Sequence, residues 1–119
     1  MTRDKLDEIL EKHIKWLRED PAGERADMSG ADMSGANMRY ANMSGAGIDY
    51  TSFTLWCGSL GILIDDAITS QLLYHVLSCV EVSPDVSDEV KKVLLSSEVV
   101  AIANQFRRVQ SGELKEIAS

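Results

Sequence analysis

Basic residues are scarce in this chain: 12 Lys and Arg stand against 19 Asp and Glu, a formal charge of −7 over 119 residues. The deficit argues against direct binding of nucleic acid, because neutralising Lys and Arg supply most of the affinity for a phosphate backbone. Cysteine is scarcer still, with only Cys57 and Cys79, both in apolar stretches. Reduced core thiols are therefore expected, not a disulfide framework. Long apolar runs are missing as well. The opening MTRDKLDEILEK carries a charge every second or third residue, unlike a signal peptide. No later stretch reaches the roughly 18 apolar residues of a membrane span. A cytoplasmic protein without membrane contact is the expectation. A hydrophobic content of 45% still allows one folded domain, or a small solenoid with capping elements.

What the chain does contain is a repeat. From Ala26 to Tyr50 it reads ADMSG, ADMSG, ANMRY, ANMSG, AGIDY, a period that neither helices nor simple strands generate. A fixed period means one small unit copied along an axis, each copy burying its apolar residue against the next. The centre of each five, Met28, Met33, Met38, Met43 and Ile48, is the inward position, and Phe53 continues it in TSFTL. Two residues earlier stand Ala26, Ala31, Ala36, Ala41, Ala46 and Thr51, small where chain must pass chain. The other positions are mostly Asp, Asn, Ser and Gly, which tolerate left-handed backbone and bond back to it. Each unit is expected to be a short extended piece plus a corner.

Tandem Ala-(Asp/Asn)-apolar-Ser-Gly resembles the pentapeptide-repeat family, whose pattern is Ala-(Asp/Asn)-Leu-x-x. The motif covers residues 26–55 and departs from the pattern in using Met for Leu at four successive copies. The resemblance implies a mainly β solenoid plus α: a short right-handed quadrilateral β-helix of about six units, four to a coil. Met28 would then lie under Ile48, and Met33 under Phe53.

The flanks read as helix. Leu6, Ile9, Leu10, His13, Trp16 and Leu17 share one face of a segment from Arg3 to about Glu19, which Asp20-Pro21 ends. Residues 65–80 are apolar most of the way round and read as a helix buried on two sides. Ser83-Pro84-Asp85 has the form of a helix start running through Leu95. A further helix from Ser96 or Ser97 turns Val99, Ile102, Ala103, Phe106 and Val109 inward, and Ser111-Gly112 opens a polar tail. The expected organisation is an N-terminal capping helix (1–20), the repeats and a closing turn (21–64), and a helical cap and dimerisation region (65–119).

Candidates for chemistry are few. Cys57, His75 and Cys79, with His13, have zinc-ligand types, but no Cys-x-x-Cys pair is present and the residues read as core thiols and histidines on apolar faces. A thiol enzyme on Cys57 and His75 lacks the electropositive setting a reactive cysteine needs. Asp65-Asp66 reads as helix-capping charge. Gly30, Gly35 and Gly45 sit at repeat corners with no phosphate-loop lysine after them. No catalytic, cofactor or metal residue is assigned, and the chain is read as non-enzymatic.

Binding surfaces offer more. Arg39-Tyr40 and Asp49-Tyr50 interrupt a Ser-Gly surface with residue types enriched at interface hot spots, and Asp27 and Asp32 add acid nearby. The apolar excess of residues 65–80 suggests a homodimer through Leu73, Val76, Leu77 and Val80. The resemblance brings in acidic members that imitate DNA and act on type II topoisomerases, and likeness to small proteins of mobile elements and prophages suggests an anti-defence inhibitor of the anti-CRISPR type. The expected function is a non-enzymatic protein-interaction module, in its sharp form an acidic, DNA-mimic-like inhibitor of a nucleic-acid-binding host protein. The alternatives are a structural dimer without a target and a topoisomerase-directed protein.

Overall fold

The computed structural model describes residues 2–53, 55 and 59–119, and the chain divides into two compact units, Met1–Asp65 and Asp66–Ser119. Cys57, invoked above, lies outside the described residues.

The first unit opens with α1 (Arg3–Leu17), started by Thr2, whose hydroxyl accepts the Lys5 N–H at 3.2 Å. A capping hydroxyl of this kind satisfies one of the four orphan donors of a first turn. Past α1, Asp20 accepts the Ala22 N–H and the chain turns into the repeats.

There the five-residue period becomes a chain of tight corners. The carbonyl of each centre accepts the N–H of the residue three further on: Met28 from Ala31, Met33 from Ala36, Met38 from Ala41, Met43 from Ala46. The Asp or Asn before each centre accepts the N–H two residues on, Asp27 from Ser29, Asp32 from Ser34, Asn37 from Arg39 and Asn42 from Ser44. Both bonds are local, and together they fold the unit back on itself. The four repeat methionines are each 1% exposed.

The path returns beside itself after twenty residues, pairing Asp27 with Gly47 and Asp32 with Ser52 in parallel. The third pair, Asn42 with Leu63, is one residue longer. One extra residue has therefore entered between Ser52 and Leu63, where the five-residue register also ends in the sequence.

The expected mainly β solenoid is not what forms. Among the described residues there is no β-strand and no sheet: the repeats meet only through isolated single-residue pairs, and the regular structure of the chain is five helices. The physical reason lies in the corners. Two of the N–H groups in each five-residue stretch are taken by the turn and the Asp/Asn side chain, so too few consecutive residues remain to propagate a ladder.

The second unit holds α2 (Asp66–Val82), α3 (Asp88–Leu94), α4 (Ser97–Ala103) and α5 (Arg107–Gln110). Its core is Leu77 from α2, Val100 and Ala103 from α4, and Ile117 from the tail, with Leu73, Tyr74, Leu94, Leu95 and Val99 packed around them. Two expectations are corrected here. Helix α3 is capped by Ser87, whose hydroxyl accepts the Val90 N–H, whereas Ser83 closes α2 through its N–H and its hydroxyl to the Cys79 carbonyl. The last helix breaks at Asn104, and this shift leaves Val100 buried and Ile102 half exposed. The tail after Gly112 is anchored at Ile117, which is 5% exposed.

Candidate interaction surface

Within the first unit α1 closes the start of the repeats. His13, fully buried, makes the central contact: its Nδ1 accepts the Ala26 N–H at 3.0 Å, and its Nε2 lies 2.7 Å from the Ser44 carbonyl. Because a carbonyl only accepts, Nε2 carries the proton and donates. The ring stacks on Trp16, with centroids 5.4 Å apart, and Trp16 in turn covers Gly45. Arg3 donates to the Asn37 carbonyl at the other end of the helix.

The corners decide what the surface shows. In four of the five turns the third residue carries positive φ, +76° at Gly30, +62° at Tyr40, +80° at Gly45 and +60° at Tyr50, the left-handed value of a type II turn, and Gly35 alone does not. Glycine occupies such a position at no steric cost, while an L side chain there costs roughly 1–2 kcal/mol. The two tyrosines are nonetheless 75% and 78% exposed. Tyr40 lays its ring over Gly61.

Residues 24–47 match a family model described as pentapeptide repeats (8 copies). This segment belongs to the pentapeptide-repeat family. Comparison with curated proteins and with solved structures gave no match. The match supports a general role as a protein-interaction module, since stacked repeats build a surface.

The pentapeptide repeats sort the expected contact residues by side. Asp27 and Asp49-Tyr50 belong to units that run beside each other, joined by the Asp27–Gly47 pair and by the Gly30 N–H donating to the Asp49 carbonyl at 2.8 Å. Arg39-Tyr40 stands in the unit 36–40, half a return away, and Asp32 in the unit between.

Both acids are held ionised. Asp32 Oδ1 accepts from the hydroxyls of Ser52 (2.7 Å) and Ser34 (2.8 Å) and from the Ser34 N–H, which lowers its carboxyl from 3.8 to about 2. Asp27 is lowered by the Ser29 hydroxyl, the Ser29 N–H and the nearby Arg25. Asp65 is spent inside the unit, where it accepts the Gly45 N–H at 2.7 Å.

Of the residues expected to dimerise, Leu77 is fully buried and Val80 nearly so, Leu73 packs against the core around Leu77, and Val76 is 53% exposed. Leu77 is thus spent on the core of its own unit.

The candidates for chemistry are scattered. Both nitrogens of His13 are occupied by backbone, His75 on α2 donates from Nδ1 to the Gln71 carbonyl, and Cys79 is an exposed free thiol. Among the described residues no three His, Cys, Asp or Glu side chains are placed to share a metal ion, and no helix is long and apolar enough to cross a membrane. A cleft of about 440 Å³ beside α1 is flanked by Arg3 and Asp32, each already committed to neighbours. The backbone bonds of two residues, His13 and Asn104, escaped the sequence reading. His13 sits at an inward helical position, where a lone polar residue signals a backbone partner. Asn104 gave no periodic signal at all.

Proposed function

We propose that the chain is a non-enzymatic interaction module that applies the side formed by residues 26–30 and 46–50 to a basic surface on a partner protein. Tyr50 carries the proposal. It occupies left-handed backbone where other copies use glycine, and it leaves 78% of itself in solvent. Folding gains little from a tyrosine in that position, whereas an amphipathic ring with few rotatable bonds is well suited to a contact. Asp27 and Asp49 stand in the same two neighbouring units as Tyr50 and set the sign of the partner.

Proteins that bind nucleic acid present such basic surfaces, and covering one inhibits it. The specific form proposed is an anti-defence inhibitor of a host nuclease or polymerase. The acids are too few for a duplex-like ladder, so the contact is a short acidic and aromatic patch.

Capture from bacterial lysate on the immobilised protein tests this. Tyr50→Ala and the pair Asp27→Asn with Asp49→Asn should each lose the captured protein, while Arg39→Ala should retain it. Equal recovery with all three variants would remove this side from the contact. A second possibility is a salt-indifferent assembly role. It is favoured by the apolar side chains near the end of the repeats, where Leu55 is 93% exposed and Leu60, Leu63 and Ile64 are also exposed.

A further inference from the structure

Helix α1 buries two side chains against the rest of its unit, Leu6 and His13. Leu6 is indifferent to pH, whereas His13 is an imidazole whose two nitrogens have opposite duties. Nδ1 accepts the Ala26 N–H while Nε2 donates to the Ser44 carbonyl, so the ring must be neutral with its one proton on Nε2. An imidazolium donates at both nitrogens. A second proton, on Nδ1, would face the Ala26 N–H, donor against donor, and would place a charge on a residue that is 0% exposed.

The surroundings hold no partner for that charge. On the Ala26 side, between α1 and the first repeat, stand Lys5, Lys12 and Arg25 with Glu8, Glu24 and Asp27, three bases against three acids. Lys12 pairs with Glu8 and Glu24, and Asp27 accepts from Ser29. On the Ser44 side Arg25 donates to the Gly45 carbonyl, and Asp65 accepts the Gly45 N–H. Both ring nitrogens therefore meet backbone, not carboxylate. The Trp16 face attracts a cation, but it cannot take the proton that Nδ1 would aim at Ala26. The ion pair of Lys12 with Glu24 is exposed and holds α1 only weakly.

We propose that His13 is an acid-released latch: protonation of its ring frees α1 from the repeats and uncovers their Ala26 end, while the repeats keep their own turns and pairings. Those turns and pairings are made by backbone groups and by Asp and Asn side chains, none of which changes charge in the imidazole range. The closed state requires the neutral ring. Closure is therefore complete above the ordinary imidazole value of about 6.5 and weakens as pH falls below it, about tenfold per pH unit for a single proton.

Amide exchange of the full chain, resolved by residue with NMR and expressed as protection relative to an unstructured chain, tests this between about pH 7.5 and about pH 5. The chain has two histidines, so wild type is compared with His13→Gln, whose amide takes no proton, and with His75→Gln. Protection across α1 and at Ala26 should fall about tenfold per pH unit below about pH 6 in wild type and in His75→Gln, and stay level in His13→Gln. Protection of the Met33 and Ser52 amides, which bond across the twenty-residue return, should stay level in all three. Protection of α1 that ignores pH, that falls as steeply in His13→Gln, or that falls only together with Met33 and Ser52 overturns the inference. Should His13→Gln fail to fold, His75→Gln decides, because His13 is then the sole imidazole: a retained slope confined to α1 and Ala26 supports the latch, and a level profile overturns it.

Discussion

Replacing His13 by alanine removes a buried ring and strands two backbone groups at once, the Ala26 N–H and the Ser44 carbonyl. Cavity and desolvation costs should together amount to about 3 kcal/mol, read as a lowered midpoint in urea unfolding. Tyr50→Gly should act in the opposite direction. Relief of left-handed backbone at φ +60° is worth about 1 kcal/mol, so the variant should melt higher while losing partner capture. A variant that melts lower would show that the tyrosine is kept for stability. Asp32 gives a pH signature. Its folded carboxyl is held at about 2 against an ordinary 3.8, so the stabilisation is complete above 3.8 and fades as pH falls toward 2. Thermal melts between pH 5 and 2 should show a steeper decline for wild type than for Asp32→Asn.

At the scale of elements, glycines that look alike in the sequence differ in the fold. Gly45 combines φ +80° with Trp16 ring atoms 2.9 Å from where a Cβ would stand, whereas Gly35 has ordinary φ and open space. Gly45→Ala should therefore cost about 2 kcal/mol or more in thermal or urea unfolding, and Gly35→Ala should be neutral or slightly stabilising. In the second unit, Leu77→Ala should cost about 2–5 kcal/mol, since the fully buried Leu77 fills the core between α2 and α4.

The same contrasts mark what the sequence made legible. The inward methionines, the back-bonding Asp and Asn and the corners follow from local chemistry repeated in register, and α1 follows from a single apolar face. The absence of strands was not legible, because it depends on how many N–H groups the corners consume. Ser83 and Ser87 each stand one or two residues before an acid. Only the point at which α2 ends, fixed by packing along the chain, decides which of them caps α3. The docked tail depended on Asn104, whose partner lies 13 residues away and leaves no periodic trace.

Over the whole molecule, acids outnumber bases in both units, eleven to seven in residues 1–65 and eight to five in residues 66–119. Such a field attracts basic partners at long range and is screened by salt, with a Debye length of about 8 Å near 0.15 M. The charge was legible from composition. Its organisation followed only from the expected four units to a coil, because the side shared by Asp27, Asp49 and Tyr50 exists through the twenty-residue return, which places distant units next to each other. The return also separates Arg39-Tyr40 from them, so two aromatic corners that look equivalent in the sequence offer opposite charge.

The most direct test is the salt dependence of capture, with full-length protein immobilised and the bound bacterial proteins identified by mass at low and at high salt. A basic, nucleic-acid-binding protein recovered at low salt and released at high salt is the predicted result. Recovery that salt leaves unchanged, or of no protein besides further copies of the chain, would contradict the proposed contact.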